Sequence, residues 1–184
     1  PAPIRSGGKV YNAVHLIGYG RILGSRLKHH LPNYGVFDEP RVFAPGPLPA
    51  PLEIGDHKVG VMICEDMWDE EYPIHPGADL KAMGAEMLVC ISASPYRRGG
   101  GEGRLRHAKR QVETRPSSAL RSAQDDEMPL VFVNLVGGND ELIFDGGSFV
   151  LGGEKLRMFE EDVRVIDLNT KDTKGTKEVQ GEEE

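Results

Sequence analysis

The stretch Lys58-Val59-Gly60-Val61-Met62-Ile63-Cys64-Glu65-Asp66-Met67-Trp68 decides the reading of this chain. A short apolar run rich in β-branched residues predicts a buried strand. It breaks at a cysteine followed by two carboxylates, so Cys64 falls where the strand ends. In open α/β sheets that edge is where ligands bind and where a loop can hold a side chain toward a pocket. Cys64 is therefore the candidate nucleophile.

Working outward, Leu52 to Ile54 and Lys58 to Ile63 read as a strand pair joined by Gly55-Asp56. A short helix from Asp79 to Met83, stopped by Gly84, leads into a strand from Glu86 to Ser92. Strand, loop, helix, strand is a βαβ unit and predicts an α/β fold, a sheet flanked by helices. Upstream, Val10 to Ile17 and Arg21 to Gly24 read as a hairpin about Gly18-Tyr19-Gly20. The stretch from Lys28 to Arg41 carries Pro, Asn and Gly punctuation that excludes a long regular element. Downstream, helical spacing from Glu102 to Gln124 is interrupted by Pro116, so a break is expected near Thr114 and Arg115. Its arginines, from Arg104 to Arg121, read as a solvated face offset by Glu113 and Asp125 to Glu127. Leu130 to Val136 is the most hydrophobic strand. Glu141 to Phe144, Gly147 to Leu151 and Lys155 to Phe159 read as an antiparallel series, and Val163 to Leu168 as a last strand.

With 184 residues the chain suits one domain, taken as 1–168, with a polar tail or linker at 169–184. The N-terminal residues carry neither an initiator Met nor a secretory signal, and the expectation is a chain that begins partway through a larger domain. No apolar run approaches the ~20 residues of a membrane span. A net charge of −7 argues against a nucleic-acid partner. Cys64 and Cys90 both sit in strand-like runs rather than in a disulfide framework, which points to a reducing, cytoplasmic compartment. His29, His30, His57 and His75 show none of the zinc spacings, so no metal site is expected. Val136-Gly137-Gly138-Asn139-Asp140 lacks a P-loop lysine and reads as a turn leading into a hairpin.

A cysteine attacks as a thiolate and needs a positive charge nearby and a donor for the oxyanion it generates. Lys28, which opens the irregular loop, is the candidate cation. The blocks Lys28 to Glu39, Val59 to Trp68, Ser92-Ala93-Ser94-Pro95-Tyr96 and Val133 to Ser148, in that order, closely resemble the glutaminase domain of glutamine-dependent NAD synthetases, within the nitrilase or carbon-nitrogen hydrolase superfamily. The resemblance runs from about Val10 to Leu168. It implies a nitrilase-type α-β-β-α sandwich with its N-terminal part missing. It also implies that Cys64 takes the acyl group of glutamine as a thioester and releases ammonia, that Lys28 stabilises the tetrahedral intermediate, and that Tyr34, Glu65 and Ser94 bind substrate. No cofactor is implied for the amidase step. The implied partners are an ATP-dependent synthetase domain, in cis or in trans, and further copies of the chain.

The sequence departs from the family in two places. The family's general base is a glutamate in a Pro-Glu-Leu type motif upstream of the lysine, and nothing before Lys28 matches it; Glu39, Glu53 and Glu65 are wrongly placed by sequence. The family's basic substrate-binding residue falls at Gly100, with Arg98 the expected substitute. An amidase acting on another small amide and an inactive scaffold lacking the base are the alternative readings.

Overall fold

The computed structural model describes residues 1–113, 128–152 and the backbone of 155–158. The expected break near Pro116, the strand from Val163 to Leu168 and the tail 169–184 lie outside them. Three strands come first, β1 (Ala2–Ser6), β2 (Lys9–Gly18) and β3 (Arg21–Leu27), forming an antiparallel sheet in the order β1-β2-β3. The hairpin about Tyr19-Gly20 is as the sequence predicts. β1 has no counterpart among the predicted elements; as an edge strand it can carry Pro3. β3 also runs three residues past Gly24, which delivers Lys28 to the sheet's end.

β4 (Leu52–Ile54) and β5 (His57–Ile63) pair antiparallel, as expected. α1 (Pro76–Ala82) then crosses to β6 (Met87–Ser92), which lies parallel to β5. α2 (Gly100–Glu113) precedes β7 (Leu130–Asn134), which is parallel to β6. β8 (Val136–Asn139) and β9 (Leu142–Asp145) make a separate two-stranded ribbon, while β10 (Phe149–Gly152) pairs antiparallel with β7 and with β11 (Lys155–Met158). The larger sheet thus has the order β11-β10-β7-β6-β5-β4. Two readings are corrected here. Val136–Asn139 is itself a strand, because its glycines pair across to Phe144 and Ile143, and only Asp140 of that segment lies in the turn. β9 accordingly belongs to that ribbon and not to the antiparallel series.

Period-2 alternation sorts the central strands between two cores. Met62, Leu88, Cys90, Leu130 and Phe132 face one way and pack with Leu80 of α1 and Ala108 and Val112 of α2. Val59, Val61, Ile63, Val89 and Ile91 face the other way, toward Val14 of β2. The described residues therefore build three layers: helices, the six-stranded sheet and the three-stranded sheet. This is an α/β architecture. Gly60 sets the spacing of the first two layers, since a Cβ there would stand 2.8 Å from Leu88 Cδ2, 3.1 Å from the Cβ of Leu80 and 3.2 Å from that of Ala85. No helix among the described residues is long and apolar enough to cross a membrane.

Gly60→Ala is expected to lower stability by about 1–3 kcal/mol through overpacking. Gly101→Ala, whose added Cβ meets nothing within 4 Å, is expected to lose none. Urea unfolding of both variants checks this, and equal midpoints would show that Gly60 does not set the helix-to-sheet spacing.

Candidate active site

The parallel strands β5, β6 and β7 end side by side, and the candidate residues gather at their carboxyl ends. Directly after β5, Cys64 opens a 3-10 turn, Cys64–Met67, with φ +47°. A left-handed backbone at a non-glycine residue is uncommon and costs free energy. The turn is held by Asp66, which is fully buried. Its Oδ2 accepts the Ile63 N–H at 3.0 Å, and its Oδ1 accepts the N–H groups of His29 at 3.1 Å and His30 at 2.8 Å. The buried Arg26 guanidinium lies 3.5 Å from Oδ2 and donates from Nε to the Val61 carbonyl at 3.0 Å. One carboxylate thus ties the end of β5 to the residues that follow β3, and so brings Lys28 to Cys64.

Lys28 is almost wholly buried, and its Nζ meets Glu39 Oε1 at 2.5 Å. Glu39, set aside by sequence position, stands against the candidate cation. Its Oε2 is buried with no hydrogen-bond partner among the described residues.

Burial raises the pKa of the Cys64 thiol. The Lys28 charge, the Ser92 hydroxyl and the Ala93 N–H pull it down without cancelling that rise, while the Glu65 charge adds to it. The resting sulfur is therefore a thiol, and attack requires a base to take its proton. Cys90 is fully buried, and desolvation pushes its pKa far up, in keeping with an inert core thiol.

Glu65 is buried, and both of its oxygens are engaged: Tyr34 donates to Oε2 at 2.8 Å and Tyr72 donates to Oε1 at 3.1 Å. Burial raises the Glu65 pKa, with the two hydroxyls opposing the shift. Burial and then the Glu65 carboxylate push the Tyr72 hydroxyl up to about 12. Tyr34, Cys64, Glu65, Trp68, Ser94 and Arg97 are among the residues lining a cavity of about 260 Å³. Four of the five predicted site residues therefore share one cavity, and the fifth, Lys28, is buried outside the lining with its charge acting on Cys64. Arg98 is not part of the lining. Its neighbour Arg97 is.

Ser94 owes its place to Arg104, which the sequence reading put on a solvated face. Arg104 is only 2% exposed. It donates to the Ser94 carbonyl at 3.1 Å, the Pro95 carbonyl at 3.2 Å and both Asp145 oxygens at 2.7 and 3.0 Å. Asn134, at the end of β7, accepts the Ser94 N–H at 2.8 Å and donates to the Gly146 carbonyl at 2.9 Å. His29 and His30 each place a ring nitrogen against a backbone carbonyl, Gly46 at 2.7 Å and Ile74 at 3.0 Å. No group of three or more His, Cys, Asp or Glu side chains among the described residues is arranged to hold a metal ion.

The profile of the carbon-nitrogen hydrolase family matches residues 2–176. The chain belongs to the carbon-nitrogen hydrolase family. It is 40% identical to the glutamine-dependent NAD(+) synthetase of Thermotoga maritima, over 90% of this chain and 27% of that protein. It is 43% identical to the corresponding synthetase of Rhodobacter capsulatus, over 86% of this chain and 27% of that protein. The chain thus spans little more than a quarter of the length of these relatives. Among solved structures, the glutamine-dependent NAD+ synthetase of Acinetobacter baumannii, in complex with ADP, superposes with a TM-score of 0.71 at 34% identity, covering 87% of this chain and 29% of that one. A carbon-nitrogen hydrolase from Helicobacter pylori superposes at 0.61 with 25% identity, covering 82% of this chain and 52% of that one. As a carbon-nitrogen hydrolase the chain shares the α/β fold of these structures.

Two outcomes follow from the geometry. Asp66→Ala leaves Arg26 buried beside no anion and three N–H groups without their acceptor, and should cost about 3–5 kcal/mol by urea unfolding; a loss below about 1 kcal/mol refutes the role given to Asp66. The alkylation rate of Cys64 by iodoacetamide should still be climbing above pH ~8.5, the ordinary thiol range. Lys28→Met removes a charge that favours the thiolate, so the midpoint should move higher still, and a downward move contradicts the electrostatics described.

Proposed function

We propose that this chain is a thiol-dependent amide hydrolase that releases ammonia from glutamine. The observation that carries the reading is the convergence of Cys64 and the Tyr34–Glu65 pair on one small cavity at the carboxyl ends of parallel strands, with the buried Lys28 charge acting on both Cys64 and Glu65. The Cys64 sulfur adds to the amide carbonyl, and the Lys28 ammonium balances the oxyanion that forms. Collapse of the tetrahedral intermediate expels ammonia, with the proton it needs returned by the group that took it from the thiol. A thioester on Cys64 remains, and water then releases glutamate. No cofactor enters these steps.

Proton transfer falls to a carboxylate. The resemblance puts that base in an upstream motif that the sequence does not match. The carboxylate this chain itself offers is Glu39, whose Oε2 is unoccupied beside Lys28. Tyr34, Glu65 and Ser94 hold the substrate: the first two as a hydrogen-bonded pair on one wall, the third from the loop after β6. The names of the relatives support glutamine as the amide and NAD synthesis as the use of the ammonia; the proposal adds an ATP-dependent synthetase domain as acceptor, in cis or in trans, and a homo-oligomeric cytoplasmic assembly. A second reading, hydrolysis of another small amide, is favoured by one observation: Gly100 stands where the resemblance calls for a basic side chain.

Ammonia release from glutamine by the chain and by Cys64→Ala tests the proposal. A Cys64-dependent release is expected, slow where Glu39 alone moves the proton, with a loss of at least about 10³-fold in the variant. Equal rates from the two proteins, or none from either, overturn it.

A further inference from the structure

The cavity at Cys64 holds one charged group that the steps above do not use. Lys28 is neutralised by Glu39 and Glu65 is held by two tyrosine hydroxyls. Arg97 also lines the cavity, and among the described residues its guanidinium makes no ion pair and no hydrogen bond. It lies over the Trp68 ring, 5.7 Å from the centroid, an arrangement that orients a guanidinium and leaves its N–H edge open.

The start of α2 is shaped to admit this side chain. A Cβ on Gly100 would stand 3.0 Å from Arg97 Cγ, and one on Gly103 would stand 3.6 Å from Arg97 Nη2. The stem of Arg97 therefore runs through space that a side chain at 100 would crowd, while its guanidinium comes to within ordinary contact of position 103. The loop that carries it is fixed from below, because Arg104 grips the Ser94 and Pro95 carbonyls and the Gly100 N–H bonds the Arg97 carbonyl at 2.9 Å. A cation held in place, stacked on one face and unpaired at its edge is a receptor for an anion, and a planar guanidinium matches a carboxylate in two hydrogen bonds.

We propose that Arg97 is a specificity-determining residue that receives a carboxylate at the far end of the amide substrate, and so selects amides whose carbon chain ends in an acid over neutral amides of the same length. This rests on the amidase reading of the cavity and sharpens it. Glutamine carries such a carboxylate. The missing basic side chain at 100 then does not open the site to any small amide, because Arg97 supplies the charge past the space that Gly100 leaves open.

The test reads protection of Cys64 from iodoacetamide, followed by mass spectrometry, so that it does not depend on turnover. The competitors are glutaramate, a primary amide with a terminal carboxylate, and butyramide, which lacks it. In the parent chain glutaramate should protect at a concentration about tenfold lower than butyramide, the effect of one charge-assisted pairing at a partly exposed site. In Arg97→Met the two concentrations should converge; in Arg97→Lys part of the difference should persist; in Arg98→Ala it should be unchanged. An undiminished preference for glutaramate in Arg97→Met, or its loss in Arg98→Ala, overturns the assignment to Arg97 and leaves the amidase reading standing. Failure of both amides to protect the parent overturns the amidase reading, and this proposal with it.

Discussion

A buried Asp66 carboxylate is what the rest of the site depends on. An ionised carboxylate taken out of water costs several kcal/mol unless its surroundings replace the lost hydration. Here three backbone N–H groups and a buried guanidinium do so, and they come from two different sheets. His29 and His30 follow β3, Ile63 ends β5, and Arg26 spans from one to the other. The network is satisfied only when the two sheets stand in one register. The same requirement that makes Asp66 tolerable therefore fixes Lys28 relative to Cys64. Both halves of the candidate chemistry are products of one desolvated charge.

A second, independent tie works on the opposite wall. Arg104 and Asn134 bind the Ser94–Pro95 loop to Asp145 and Gly146, so a loop after β6 is anchored by a helix and by the ribbon that follows β7. Neither residue lines the cavity. Their side chains bond the backbone of the loop, the Ser94 hydroxyl, the Gly146 carbonyl and the Asp145 carboxylate, while Ser94 and Arg97 line the cleft. The cavity is thus a gap between two polar clamps, with Cys64 in its lining.

Much of this was legible in the sequence, and the reasons for the rest are physical. The central strands announce themselves because burial on both faces leaves continuous apolar runs, and the break at Cys64 marks their end. The loop from Lys28 and the blocks after β6 and β7 identify the family because several short, unlike motifs recur in one order. What stayed hidden was decided by partners far away in sequence. β1 has no counterpart among the predicted elements, because its ladder comes from β2. Arg104 looks like one of several solvent-facing arginines until Asp145, some forty residues on, is folded beneath it. Glu39 lies eleven residues beyond Lys28, and nothing in that spacing says that the intervening turn folds the two together. Whether Arg97 or Arg98 enters the cleft depends on which way a loop side chain points, and the glycine that admits Arg97 carries no signal of its own.

The left-handed backbone at Cys64 has an evolutionary corollary. If folding were the only criterion, position 64 would belong to glycine, which adopts that conformation without penalty, whereas a residue with a Cβ gives up on the order of 1 kcal/mol there. A cysteine at this position works against the stability of its own domain, a debt the Asp66 network next to it can carry. Drift toward a more robust fold would erase the thiol first. On the proposed amide-hydrolase reading, a cysteine here is what selection on reactivity, rather than on the backbone that carries it, would keep.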